Sequence, residues 1–298
     1  MSERVYVVCN PVAGRGRGRR VLDPLLAALR ENGPVEYGLS NSAGDEARLA
    51  RQAVDSGFRH VVAVGGDGTW NNVANALLAT GQEDVVFGAV PGGTGSDLAK
   101  SLGIPGRDVQ RAAQIIRTGR VKPIDVGVVD GRHFLNIAGF GFDVAVLEHS
   151  WGVPVLRGSL RYGYSAVTQL LSFRGMPVAL GVDGAAAQKR DLLMLIIANA
   201  RIFGGAFPIA PRAQLDDGQL DVVAFADMPA LGRVGALVGL LRGTHESSRH
   251  VDSFRAARLR LSFPEPPTYE LDGEWHRAAG CEVEVGLLPR RLRVFAGA

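Results

Sequence analysis

Long hydrophobic runs are missing from this chain. Its longest apolar stretches, Leu192 to Ala200 and Val234 to Leu241, fall far short of the roughly 20 residues that a membrane-spanning helix needs. The start, Met1-Ser2-Glu3-Arg4, has no apolar segment, so no signal peptide is expected and the reading is a cytoplasmic protein. Cysteine is scarce as well. Cys9 and Cys281 lie far apart, which suggests free thiols in a reducing compartment. Lys100, Lys122 and Lys189 are the only lysines, and the remaining positive charge is arginine spread along the chain. A formal charge of +3 is compatible with peripheral contact at an anionic membrane surface. The concentrated basic face of a nucleic-acid binder is lacking, so no nucleic-acid partner is expected.

Several catalytic signatures are also absent. No G-x-x-x-x-G-K-[ST] occurs, which excludes a Walker-type phosphate loop. Gly14-Arg15-Gly16-Arg17-Gly18 misses the dinucleotide spacing G-x-G-x-x-G. Without a G-x-S-x-G there is no hydrolase elbow. His245 and His250 stand too far apart to share one helical face in the manner of zinc-binding histidine pairs, and the six histidines read as surface or core residues.

What is present is a globular composition: 46% apolar and 21% charged over 298 residues. Residues 1–122 alternate β-branched runs with helical patterns, as a parallel sheet covered by helices requires. The expected strands are Arg4 to Cys9, His60 to Val64 and Val85 to Val90. Helices are expected around Val21 to Leu29 and over Asp45 to Ser56, Trp70 to Ala79 and Asp108 to Thr118. Gly119 to Pro123 reads as a connector. Residues 123–287 show short alternating runs (Ile124 to Val129, His133 to Ala138, Val178 to Val182, Leu192 to Ala198, Gln219 to Phe225, Arg258 to Phe263, Glu282 to Leu287). The turns Asp130-Gly131, Asp183-Gly184 and Asp272-Gly273 separate them, which predicts a β-rich, sandwich-like second domain with helices near Tyr162 to Ser172 and Ala230 to Leu241. The last strand, within 288–298, is expected to return to the first domain.

Chemistry concentrates at the ends of the first-domain strands. Gly65-Gly66-Asp67-Gly68-Thr69 follows a strand directly, and glycines there let backbone N–H groups approach a phosphate while the next helix adds its dipole. A tight strand-to-helix turn capped by Asp67 or Thr69 explains that block equally well if it stands alone. Pro91-Gly92-Gly93-Thr94-Gly95-Ser96-Asp97 and Asn10-Pro11-Val12-Ala13-Gly14 end neighbouring strands in the same style. Three such loops on one rim of a parallel sheet, where α/β folds bind ligands, exceed what turn chemistry requires.

These blocks resemble the diacylglycerol kinase catalytic-domain family, which includes bacterial soluble diacylglycerol kinases, sphingosine kinases and ceramide kinases. The resemblance extends over Gly139-Phe140-Gly141-Phe142-Asp143, Gly204-Gly205, Ala210-Pro211, Leu215-Asp216-Asp217-Gly218 and Asp272-Gly273-Glu274. Ser96 and Asn72 depart from it, the family usually having Asn and Glu there. It implies an α/β nucleotide-binding domain like that of NAD kinases and diacylglycerol kinases, and a lipid kinase that uses ATP and magnesium on a membrane lipid, diacylglycerol first. It further implies that Asn10, Pro11, Val12, Ala13, Gly14, Ser40, Gly65, Gly66, Asp67, Gly68, Thr69, Trp70, Asn71 and Thr94 line the ATP site. Glu274 matches the general base, with Asp67 and Asp97 as further catalytic carboxylates. Asp217, with the carbonyls of Gln214 and Gln219, matches a structural magnesium site. A solvated hairpin Glu and an ordinary acidic loop tip are the alternatives for Glu274 and Asp217.

Other lipids (ceramide, sphingosine, phosphatidylglycerol), an NAD-directed kinase of the same superfamily and a catalytically silent lipid- or nucleotide-binding regulator remain as rival functions. Trp151 to Tyr164 mixes apolar and basic residues and is the expected membrane contact, with core packing as its alternative.

Overall fold

The computed structural model describes residues 3–42, 44–93, 95–151 and 159–297. Thr94 and residues 152–158 of the expected membrane segment therefore lie outside the described residues. The chain divides into two compact units, 1–126 with 288–298, and 127–287.

The first unit runs β1 (Val5–Cys9), α1 (Ala13–Arg30), β2 (Val35–Leu39), α2 (Asp45–Asp55), β3 (His60–Gly65), α3 (Asp67–Ala79), β4 (Val86–Pro91), α4 (Asp97–Ser101), α5 (Val109–Thr118) and most of β5 (Arg120–Val129). The registered pairs of its sheet are parallel, in the order β2, β1, β3, β4 and then the returning terminal residues Arg293 and Val294. Val7, Val8, Val61, Val62, Val64 and Phe87 are fully buried, the continuous apolar pattern of strands covered on both faces. Val21, Leu22, Leu25, Leu26 and Leu29 of α1 supply one buried stripe, and Leu49, Ala50, Ala53 and Val54 of α2 another. Cys9 is buried here, which pushes its thiol up to about 11 and leaves it inert.

Residues 119–123 are not a connector. β5 passes unbroken through 122/123, the boundary expected from the sequence, and the units divide four residues later within the same strand. Arg120-Val121-Lys122 is exposed to intermediate in burial, so its composition reads as a linker although its backbone is paired.

The second unit continues with β6 (Arg132–Phe134), β7 (Ile137–Gly141), α6 (Phe142–Trp151), α7 (Ser159–Ser172), β8 (Met176–Val182), β9 (Gln188–Ala198), β10 (Leu220–Ala226), α8 (Ala230–Arg242), β11 (Val251–Ala256), β12 (Arg258–Ser262), β13 (Thr268–Leu271), β14 (Glu274–Arg277) and the start of β15 (Glu282–Ala296). Every registered pair in this unit is antiparallel. The long β9 is the pivot. Its first half pairs with β8, and its second half lies between β7 and β10. Leu195 and Ile197 point into one core with Phe140, Val222 and Leu261, while Met194 and Ile196 point into another with Ile209, Phe225 and Leu240. That is the period-two alternation of a strand buried on both faces.

All three Asp-Gly turns adopt positive φ at both residues: 47° and 80° at Asp130-Gly131, 46° and 85° at Asp183-Gly184, 51° and 87° at Asp272-Gly273. This is the turn whose twist suits a tight hairpin. One expected strand, His133 to Ala138, is in fact two. Leu135, Asn136 and Ile137 turn their N–H groups onto the Asp272 carboxylate at 2.8, 2.8 and 3.0 Å, which interrupts the ladder between β6 and β7. His245 is a core residue, stacked on Phe225 with its Nε2 2.9 Å from the Ile209 carbonyl.

Candidate functional site

In the first unit the loops after β1, β3 and β4 lie on one rim, at the carboxyl ends of parallel strands. Their backbones touch. Asn10 N–H donates to the Val64 carbonyl at 3.0 Å, and the N–H groups of Gly92 and Gly93 both donate to Gly65, at 2.7 and 2.9 Å. A methyl group on Gly14 would strike the Gly92 carbonyl, and one on Gly93 would come within 2.6 Å of the Gly66 Cα. Glycine is thus required for the approach of the loops to one another as well as for any approach of phosphate. α3 begins at Asp67, straight after extended Gly66, so the first-turn amides, which have no acceptor within the helix, lie at this rim.

Asp67 serves the neighbouring loop. Its carboxylate accepts the N–H groups of Ser96 (2.8 Å), Asp97 (2.9 Å) and Leu98 (3.4 Å), capping α4. Ser96 sits at φ 60°, a left-handed conformation costly for serine and better tolerated by asparagine. Asp97 is 6% exposed and accepts from Lys100 Nζ at 3.0 Å.

A second cluster was not legible in the sequence. Glu46, 2% exposed in the first turn of α2, accepts from Asn10 Nδ2 (3.0 Å) and Ser40 Oγ (3.1 Å), while Asn10 Nδ2 also reaches Thr69 Oγ1 (3.2 Å). Glu46 thereby ties together three residues assigned to the nucleotide site, although an acid in a first helical turn reads as ordinary dipole complementation. Val12 stands 76% exposed on the rim. Trp70, assigned to the same site, is fully buried, and its indole N–H donates to Ala63 at 3.1 Å; its side chain anchors α3 to the core.

In the second unit the β13–β14 hairpin presents Glu274. Asp272 in the turn is 8% exposed and clamped by three N–H groups, so the exposed Glu274 starts β14 from a rigid base. The next residue, Trp275, donates through Nε1 to Glu148 on α6 at 2.8 Å.

Asp217 accepts Gln219 N–H at 3.2 Å and lies 3.4 Å from Arg255, which also meets Asp221 at 3.4 Å. The second oxygen of Asp221 is buried without a partner, and burial raises its carboxyl above the usual range. Carboxylate and carbonyl oxygens at this turn are the hard donors that magnesium takes, so the residues fit such an ion in kind. Among the described residues no three His, Cys, Asp or Glu side chains group as metal ligands.

α6, α7, α8, β9 and β10 line an open-mouthed cavity of about 240 Å³, with side chains such as Phe142, Leu170, Met194, Phe203, Phe225 and Leu237 in its wall. Asp143 and Arg233 are the charged residues in its wall. The Arg233 guanidinium is occupied by Asp227 (2.9 Å) and the carbonyls of Met228 (2.8 Å) and Leu170 (2.9 Å).

Comparison with known proteins follows the same division. Residues 4–129 match the family model described as diacylglycerol kinase catalytic domain. Residues 136–296 match that of the YegS C-terminal NAD kinase beta sandwich-like domain. A diacylglycerol kinase of Bacillus subtilis is 31% identical over 280 residues, covering 92% of this chain and 90% of that one. A Pseudomonas aeruginosa protein named probable lipid kinase YegS-like is 32% identical, with 98% and 94% covered. Among solved structures, a diacylglycerol kinase from Bacillus anthracis superposes with a TM-score of 0.73 at 20% identity over 99% and 97% of the two chains. An NAD kinase from Archaeoglobus fulgidus in complex with ATP reaches 0.54 at 14% identity over 98% and 93%.

Proposed function

The chain belongs to the family of diacylglycerol kinases and YegS-like lipid kinases, and on that premise we propose that it transfers the γ-phosphoryl of ATP to the hydroxyl of a membrane lipid, with diacylglycerol as the acceptor. The observation that carries the acceptor class is the cavity of about 240 Å³ in the second unit. It is larger than the roughly 150 Å³ that a dry apolar cavity needs to take benzene, and its wall suits an acyl chain rather than a nucleotide.

The amides of Gly65 to Thr69 and the α3 amino terminus hold the phosphates of the magnesium nucleotide, with Asn10, Ser40 and Glu46 bracing the rim. Asp67 acts by holding the 92–97 loop in shape. Glu274 takes the acceptor proton as the lipid oxygen forms its bond to the γ-phosphorus, the bond to the β-phosphate oxygen breaks and ADP leaves. A resident magnesium ion at Asp217, with the carbonyls of Gln214 and Gln219, would lend this turn a fixed geometry. Asp217→Ala then flattens the magnesium dependence of the melting temperature; an unchanged titration returns Asp217 to an ordinary turn.

No described helix is long and apolar enough to cross a membrane, so the lipid is met from the surface of the bilayer. The direct test supplies the purified chain with labelled ATP and, in parallel, diacylglycerol, ceramide, sphingosine, phosphatidylglycerol and NAD. Label should enter diacylglycerol fastest. Label in NAD, or in none of the acceptors, overturns the reading.

A further inference from the structure

One helix joins the acyl-sized cavity to the hairpin that carries Glu274. α6 packs on β9 and α7, and also on β13 and β14. Phe142 and Val146, one turn apart, put one face of the helix into the cavity wall. Asp143 and Glu148 tie the same helix to the hairpin. The first tie is buried. Asp143 is 5% exposed and Glu270 on β13 is 2% exposed, and the two carboxyls share a hydrogen bond. Glycine at 139 makes room for it: a methyl group there would collide with Asp143 Oδ2 and lie 3.0 Å from Glu270 Cγ. The second tie is at the surface, where Trp275 Nε1–H donates to Glu148 Oε1 at 2.8 Å, a bond strengthened by the charge of its acceptor.

In the hairpin register Glu270 stands opposite Trp275, and Leu271 opposite Glu274. The two ties therefore grip facing residues of β13 and β14, immediately beside the proposed base. Glu274 is exposed, so its placement follows the backbone of β14. A base must stand within hydrogen-bond reach of the acceptor oxygen, and a shift of about 1 Å in such a group costs up to ~10²-fold in rate. The Asp272 clamp fixes the turn to the corner between β6 and β7. α6 fixes the strands of the hairpin to the cavity wall.

We propose that Glu148 is a positioning residue for the reaction: through Trp275 it holds β14, and with the Asp143–Glu270 pair it makes α6 the link by which an acyl chain filling the cavity sets the place of Glu274. This rests on the lipid-kinase reading and deepens it. Binding energy from the acyl chain, remote from the reacting hydroxyl, is then realised in kcat as well as in affinity.

The test measures turnover by the full chain, in mixed micelles, of dioctanoylglycerol and of dibutanoylglycerol, whose chains are too short to fill the cavity. It compares the wild type with Glu148→Ala, Glu148→Gln and Trp275→Phe. Wild-type kcat should be ~10-fold higher on dioctanoylglycerol. Glu148→Ala and Trp275→Phe break the bond and should lose most of that advantage, with kcat on dibutanoylglycerol kept within about threefold. Glu148→Gln, whose side-chain carbonyl still accepts the indole N–H, should retain the advantage. The ATP dissociation constant should hold throughout. Equal kcat on the two lipids in the wild type overturns the link, whatever the variants do. So does an equal loss on both lipids, the mark of a merely structural role, or a Gln variant as impaired as the Ala variant. Unchanged kcat in Glu148→Ala overturns it too. A second measurement needs no turnover: without nucleotide, dioctanoylglycerol should shift the tryptophan emission of the wild type and leave that of Trp275→Phe unmoved, while dibutanoylglycerol shifts neither. That shift without phosphoryl transfer keeps the link and sinks the kinase reading; transfer with neither the shift nor the chain-length advantage does the reverse.

Discussion

In the first unit Asp67 collects the N–H groups of Ser96, Asp97 and Leu98, and in the second Asp143 is buried beside a second carboxyl, Glu270. Both follow a glycine-rich strand end and both begin a helix. What separates them is the neighbouring backbone. The loop beside Asp67 turns its amides inward, so the carboxylate is consumed in holding that loop. Asp143 lies in the first turn of its helix beside another buried acid, so burial favours its protonated, uncharged form. Asp272 shows that the second unit also builds clamps of the Asp67 kind, with three N–H groups on one carboxylate. An acid saturated by amides keeps its charge and organises structure, and one crowded by a second buried acid keeps a proton instead.

The largest expected effect is at Glu274, an acid that faces water. Glu274→Gln keeps size and shape and removes the proton acceptor. Loss of general-base assistance typically lowers the rate ~10²- to 10⁴-fold, roughly 3 to 5 kcal/mol of barrier. The nucleotide dissociation constant should scarcely move. A variant retaining more than about a tenth of wild-type kcat assigns the proton to another group.

Next come the two clamps. Asp272→Ala strands three buried amides and should cost about 3 kcal/mol, a fall in Tm of roughly 6 to 12 °C. Asp67→Ala should cost less, about 2 kcal/mol, because its loop is nearer solvent, yet it should abolish transfer by releasing the 92–97 loop. Normal turnover in folded Asp67→Ala breaks the contrast between the two kinds of acid.

Asp143 should behave with the opposite sign. Its carboxyl is raised to about 7 in the folded chain against about 3.9 when unfolded. The folded state therefore holds the proton more tightly. The stability it contributes is complete below the unfolded value and is lost as pH climbs through about 7. Tm should therefore fall between pH 5 and pH 8, and Asp143→Asn should flatten that fall. Parallel melting curves for the two proteins would show that the acid is ordinary.

The smallest effect is at Ser96. Asparagine tolerates the left-handed region better, so Ser96→Asn should stabilise by about 0.5 kcal/mol, a degree or two in Tm.

Much of the architecture was legible residue by residue. β1, β3 and β4 announce themselves as short β-branched runs, and the glycine loops after them follow from close backbone approach. All three Asp-Gly turns appear where the dipeptides stand, because positive φ is a local preference. β2 was missed: Val-Glu-Tyr-Gly-Leu is a partly exposed edge strand with little apolar signal. α6 was missed because Phe142 to Val146 alternates like a strand and becomes helical only in its packing. Glu46 and Glu270 looked like ordinary acids of a helix turn and a strand.

By itself the sequence determined the parallel sheet, the three glycine loops, the hairpin turns and the family, since each rests on short-range backbone preference or on blocks read in order. Only the tertiary structure decided which carboxylates are clamps and which hold a proton. Asp272 meets the amides of Leu135, Asn136 and Ile137 across more than 130 residues of chain, and Asp143 meets Glu270 across a similar span. A carboxylate looks the same in any sequence. Its burial, its amide partners and the proton it keeps come from groups that only folding brings to it.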